Sequence, residues 1–125
     1  MSFDGKKRQV IDDFIQTHAR EGKPADDPGV QERAREIAEF LTRINEETLP
    51  EGYGHAVDLF AADVIKARTA AGTLPEAPQG RSSESIIWGG QRIVLLSVAE
   101  KLYGLEYRKK VASFFRAVNL EASKP

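Results

Sequence analysis

The stretch SSESIIWGGQRIVLLSVAEKLYG, from Ser82 to Gly104, is the most apolar run of the chain and decides its fold. On a helical wheel its large apolar side chains cover more than half of the circumference. A helix that is apolar around so much of its surface lies near the centre of a bundle. We therefore predict a helix over residues 83–103 that is the central element of the fold.

Gly89 and Gly90 stand side by side in the middle of this predicted helix. Each costs roughly 1 kcal/mol relative to alanine, so a compensating gain is expected. In one interpretation, a neighbouring helix of the same chain crosses closely at this point. In a second, the flat strip that Gly90 forms with Ile93 and Ser97 is a docking face for a partner or a second copy. In a third, the helix begins only after Gly90, and the residues before it form a loop.

Apolar residues at helical spacing predict four further helices, at about 6–21, 28–47, 53–71 and 106–119. Asp4 and Asp27 are the expected N-caps of the first two helices. Residues 72–82, rich in Pro, Gly and Ser, are predicted to form a long loop, and residues 120–125 a frayed tail. The predicted fold class is all-α: a single-domain bundle, 1–125, of about five helices.

Composition narrows the class of protein. The chain has 125 residues, of which 41% are hydrophobic and 30% charged, as in an ordinary globular domain. It has no cysteine, which excludes disulfides, thiolate metal sites and cysteine nucleophiles, and which favours a reducing compartment such as the cytoplasm. The first residues lack the apolar core of a signal peptide, and no apolar run reaches the ~20 residues that span a bilayer. We expect no membrane association.

Charge is unevenly distributed along the chain. Residues 1–63 carry 8 basic and 14 acidic side chains, whereas residues 64–125 carry 10 basic and 5 acidic ones. The acidic half predicts a negative outer face on the second helix, represented by Glu32, Glu36 and Glu39. Such a face steers a protein towards a basic partner, including one that normally holds nucleic acid.

Few residues are suited to catalysis. The only histidines are His18 and His55, and His18 continues the apolar stripe of the first helix. His55 and Asp58, three residues apart, are the only pair that suggests a metal-assisted enzyme. No phosphate-binding glycine loop and no activated serine are recognisable. We predict that the chain is not an enzyme and carries no cofactor and no metal.

A second functional hypothesis is DNA binding. Residues 98–118 resemble a helix-turn-helix in spacing, with Ala99 before Gly104, although the alanine-to-glycine distance is one residue longer than usual. The second helix of this segment would present basic side chains to phosphates, namely Arg108, Lys109, Lys110 and Arg116. Against this, a pI of about 6.1 is far from the basic footprint of a DNA-binding domain.

The sequence favours a small, non-enzymatic binding or regulatory protein, an inhibitor or adaptor, that acts through protein–protein contact. Its predicted contact residues are Trp88, Gly89, Gly90 and Arg92, together with the acidic face of the second helix. Trp88 is the predicted anchor because tryptophan is enriched at binding hot spots. The predicted partner is another protein, either a basic one or a second copy that forms a homodimer.

Overall fold

The computed structural model describes residues 2–77, 80 and 82–122. These residues form five helices and no strand, which confirms the all-α prediction. The helices are α1 (Phe3–Arg20), α2 (Pro28–Leu41), α3 (Pro50–Ala71), α4 (Ser83–Tyr103) and α5 (Leu105–Ala122). Within the described part of the chain, no helix combines the length and the apolar character needed to cross a membrane.

Helix α4 is the central element of the bundle, because it packs against α1, α3 and α5. It begins at Ser83, where the Ser82 hydroxyl accepts a hydrogen bond from the Ser85 N–H at 3.1 Å. The alternative in which the helix begins only after Gly90 is therefore wrong. Its buried residues are Ile87, Leu95, Val98, Ala99 and Leu102, which join one core with the buried faces of α2, α3 and α5.

The connection between α2 and α3 differs from its prediction. Helix α2 begins as expected, with Asp27 accepting from the Val30 N–H, but it ends at Leu41 rather than near residue 47. The Asn45 side chain accepts a hydrogen bond from the Glu47 N–H at 2.8 Å. Asparagine offers the backbone such a local alternative to the helix. Pro50 then occupies the first turn of α3, where its missing N–H needs no partner.

Three tyrosine hydroxyls hold this connection and the start of α3 against α4 and α5. The hydroxyls of Tyr103 and Tyr107 donate to the carbonyls of Asn45 and Thr48, each at 2.6 Å. The buried Tyr53 hydroxyl donates to the Leu95 carbonyl in the middle of α4. Burial is the largest cause that raises the pKa of each of these three hydroxyls, which keeps them neutral donors.

Other boundaries shift by a few residues. The N-cap of α1 is Ser2, whose hydroxyl accepts from the Gly5 N–H, so Asp4 lies in the first turn instead of capping it. Of the predicted loop 72–82, residues 78, 79 and 81 lie outside the described residues, and the others are non-helical. Its last residue, Ser82, is the N-cap of α4. Helix α5 continues to Ala122, so the predicted fraying does not begin at residue 120. Residues 123–125 lie outside the described residues.

Candidate functional site

The two adjacent glycines of α4 face open space. Among the residues that the structure describes, a Cβ atom added to Gly89 or Gly90 would meet no atom within 4 Å, apart from the backbone of its own helix turn. The interpretation that a helix of the same chain crosses closely at this point is therefore wrong. Gly90 lies on one side of α4 with Ile86, Ile93 and Ser97, at spacings of four, three and four residues. We call this side, formed by Ile86, Gly90, Ile93 and Ser97, the open α4 face.

The open α4 face carries exposed apolar surface. Ile93 is 71% exposed, and Val94 beside it is 37% exposed. Exposed apolar patches that are continuous, rather than single residues, mark interaction sites on soluble proteins. No contact among the described residues explains why Ile93 is exposed to water or why Gly89 and Gly90 lack side chains.

Two shallow depressions run along one side of the open α4 face. One, of about 340 Å³, lies beside the N-terminal half of α4 and includes Ile86 and Gly90. The other, of about 300 Å³, lies beside the C-terminal half and includes Ile93 and Ser97. Both are lined by three common residues, namely Phe14 of α1, Ile37 of α2 and Val94 of α4. They therefore adjoin and form one furrow beside the open α4 face. Its floor is apolar, and its lining also includes the charged residues Arg33, Glu36, Arg68 and Lys101.

Trp88 and Arg92 make contacts within the chain. Trp88 Nε1 donates to Asp58 Oδ1 at 2.9 Å, while Arg92 contacts both oxygens of the same carboxylate at 3.0 Å. The Arg92 guanidinium also lies 4.6 Å from the Phe115 ring centroid and donates to Asn119 at 2.8 Å. This network joins α3, α4 and α5. Because Trp88 and Gly90 lie two residues apart on a helix, they point in very different directions, so Trp88 is not an anchor within the open α4 face.

The predicted acidic face of α2 is partly neutralised. Glu36 is only 16% exposed and accepts from Arg68 Nη2 at 2.7 and 3.0 Å, so its assignment to an exposed outer face is wrong. Glu39 lies 3.4 Å from Arg43, and Glu32 is exposed. Two exposed carboxylates, one of them paired, form a much weaker negative surface than the sequence suggests.

The segment that resembles a helix-turn-helix lacks its turn. Helix α4 ends at Tyr103 and α5 begins at Leu105, so only Gly104 separates them. Its φ of 103° lies in the region that favours glycine and allows this abrupt change of direction. A helix-turn-helix uses a turn of about three or four residues. The predicted motif over 98–118 is therefore wrong in its turn.

The basic residues of α5 remain at the surface. Lys110 is exposed and lines a depression of about 570 Å³ beside the start of α3. The other three contact polar groups within the chain: Arg108 contacts Glu100 at 3.5 Å, Lys109 contacts Glu106 at 3.3 Å, and Arg116 donates to Ser113 at 3.0 Å. DNA binding through these four residues stays a prediction.

The residues of the metal hypothesis do not share a site. The Asp58 carboxylate accepts from Arg92 and Trp88, and the His55 ring packs edge-on against Phe114 at 4.8 Å. Within the described part of the chain, no group of three or more His, Cys, Asp or Glu side chains is placed to hold a metal ion. We find no geometry that supports a metal-assisted reaction at His55 and Asp58.

The close packing of α3 against α5 requires a glycine at position 54, which was not identified from the sequence. A Cβ on Gly54 would lie 2.3 Å from Phe114 Cδ1, so this buried position admits no side chain without movement of the ring. Its place three residues before Val57, on the buried stripe of α3, is the signal that could have found it.

Comparisons of this chain with family models, with curated proteins and with solved structures gave no match.

Proposed function

We propose that this chain is a non-enzymatic binding protein that acts through protein–protein contact, with the open α4 face as its contact surface. The observation that carries the proposal is the uncovered pair Gly89–Gly90 next to an isoleucine that is 71% exposed. Two mid-helix glycines cost roughly 1 kcal/mol each relative to alanine. No packing within the described residues offsets that cost at either position, whereas a partner that approaches the helix backbone would.

The contact surface is apolar rather than charged. Between Ile86 and Ser97, the open α4 face contains no charged residue, and its neighbours Val94 and Phe14 are also apolar. Charged side chains occur only at the edge of the adjoining furrow, where Glu36 is paired with Arg68. Small residues on a helix allow close approach of another element, and the exposed isoleucine supplies apolar area that is buried on binding. The partner is therefore expected to present an apolar helix or edge, not a strongly basic surface.

Location in the cytoplasm is part of this proposal. The chain has no cysteine, as is common for proteins that work in a reducing compartment.

We expect the contact to be detectable by site-specific photo-crosslinking in cells that express the chain. A benzophenone amino acid in place of Ile93 should form an adduct of defined mass, because Ile93 lies at the centre of the contact. The matched control is the same amino acid in place of Leu59, which is 66% exposed on α3 and lies outside the open α4 face.

The adduct at position 93 should weaken when Gly90→Leu is added, since leucine would fill the space that the partner enters. Equal yields at positions 93 and 59, or an adduct that is insensitive to Gly90→Leu, would show that the open α4 face is not a specific contact surface.

A further inference from the structure

We infer that the occupant of the open α4 face is a second copy of this chain, packed with its α4 antiparallel. This inference rests on the proposed function, because it assigns a partner to the same surface. Two features of the face support a second copy: large and small residues alternate along it, and it carries no charge.

The open α4 face repeats at coiled-coil spacing. Ser83, Ile86, Gly90, Ile93 and Ser97 follow one another at three, four, three and four residues, the pattern that keeps one stripe of a helix facing a partner helix. Large and small residues alternate along it. The difference in side-chain size is greatest between Gly90 and Ile93. Gly90 has no side chain, and Ile93 is the most exposed aliphatic residue of α4.

An antiparallel second copy fits this alternation. When Gly90 lies opposite Ile93 of the partner copy, two-fold symmetry places Ile93 opposite Gly90 of the partner copy. In the same register, Ile86 lies opposite Ser97 of the partner copy on both sides. Each isoleucine thus meets a small residue in every layer. A parallel pair would instead place isoleucine on isoleucine and glycine on glycine.

The charges of the face agree with self-association. No charged side chain belongs to the open α4 face between Ile86 and Ser97, so a second copy brings no like charges into opposition. The whole chain has a net charge of −1, so two copies repel each other weakly over distance. A strongly acidic or basic partner would find no complementary charge on this face.

The size of the face predicts a weak dimer. From Ile86 to Ser97 the strip is about 17 Å long at the rise of an α-helix. A standard interface buries about 800 Å² on each partner, which is more than such a strip supplies even with the furrow beside it. We therefore expect a weak, transient dimer with a dissociation constant between about 1 µM and about 1 mM.

The decisive experiment exchanges the two residues that face each other. Sedimentation velocity is measured on the full chain from about 1 µM to about 1 mM, the range of the expected dissociation constant. Gly90→Ile places an isoleucine opposite Ile93 of the partner copy, so two large side chains clash. Ile93→Gly places a glycine opposite Gly90 of the partner copy, which leaves a gap. Each single variant should therefore weaken the dimer at least about tenfold. The double variant Gly90→Ile/Ile93→Gly restores one large and one small residue in each layer. It should dimerise within about threefold of the wild-type chain.

The antiparallel register has its own measurement. Because the chain has no cysteine, Ile86→Cys and Ser97→Cys variants can be mixed and oxidised. The disulfide between the two different variants should form in preference to either homodisulfide, since positions 86 and 97 lie opposite each other. Preference for the homodisulfides would overturn the antiparallel arrangement.

The outcomes separate this inference from the proposed function. A wild-type chain that stays monomeric to about 1 mM, or an exchanged double variant as weak as the single ones, would overturn the second copy as the occupant. The proposed function then stands if photo-crosslinking at position 93 yields an adduct with a different chain that is lost with Gly90→Leu. It fails if position 93 yields no specific adduct of any mass.

Discussion

Replacing Asp58 with asparagine should lower the free energy of unfolding by about 2–3 kcal/mol, because it leaves the Arg92 guanidinium without its counter-charge. The two side chains are only 16% and 19% exposed, and both carboxylate oxygens accept from Arg92 at 3.0 Å. Asparagine keeps one oxygen for Trp88 Nε1, so the loss reports mainly on the ion pair. Urea denaturation followed by circular dichroism measures the change.

Asp63→Asn is the matched control on the same helix. Asp63 lies 2.7 Å from Arg43, but it is 60% exposed, and exposed pairs of this kind contribute about 0–1 kcal/mol. The double variant Asp58→Asn/Arg92→Met should recover part of the lost stability, since removing both partners leaves no unpaired charge. If Asp58→Asn changed stability no more than Asp63→Asn does, the network of Asp58 with Trp88 and Arg92 would not hold α3 and α4 together.

The second large effect is expected at Gly54. Alanine at this position should lower the free energy of unfolding by about 1–2 kcal/mol, because the added Cβ overpacks the contact between α3 and α5. The Phe114 ring, 2.3 Å from that Cβ position, must move, although it also packs against His55. This loss outweighs the helix propensity that alanine gains over glycine, roughly 1 kcal/mol.

Gly90→Ala is the control for helix propensity. It should raise the free energy of unfolding by up to about 1 kcal/mol, since its Cβ meets no atom of the described residues within 4 Å, apart from its own helix backbone. In a Phe114→Ala background, Gly54→Ala should no longer destabilise the chain, because the ring that it strikes is absent. A stabilising Gly54→Ala in the wild-type background would contradict the close approach of α3 and α5.

The helical class and the central position of α4 were predictable because they depend on local periodicity. Apolar side chains cover more than half of the circumference of helix 83–103, and several neighbouring helices are needed to bury them. The N-cap at Asp27 and the proline after it were equally local signals. The end of α2 was not predictable, because Ile44 continues the apolar stripe and stays buried, although the helix already ends at Leu41, where the Thr42 hydroxyl donates to the Glu39 carbonyl.

The candidate site could be only half predicted. The strip of Gly90, Ile93 and Ser97 follows from helical spacing, so its residues could be chosen from the sequence. Trp88 was assigned to the same surface because tryptophan is enriched at binding hot spots, and Arg92 was assigned with it. Their contacts with Asp58 depend on how α3 lies against α4, a tertiary relation that no local pattern contains.

The role of each glycine was likewise not readable from residue type. Gly54 lies in a crowded contact and Gly90 meets no described atom, although both are helical glycines. Spacing shows that a glycine lies on a given side of its helix. Whether another helix covers that side depends on the order of the helices in space, which periodicity does not specify.

The central claim is that the open α4 face is uncovered in the isolated chain and becomes covered by a partner. Methyl relaxation of isoleucine-labelled protein by a soluble paramagnetic agent measures this most directly, at a concentration well below that of dimer formation. Ile93 should relax several-fold faster than Ile87, which is 5% exposed in the core. Raising the protein concentration should then protect Ile93 while Ile87 stays unchanged. Relaxation of Ile93 as slow as that of Ile87 in the dilute chain would contradict the account.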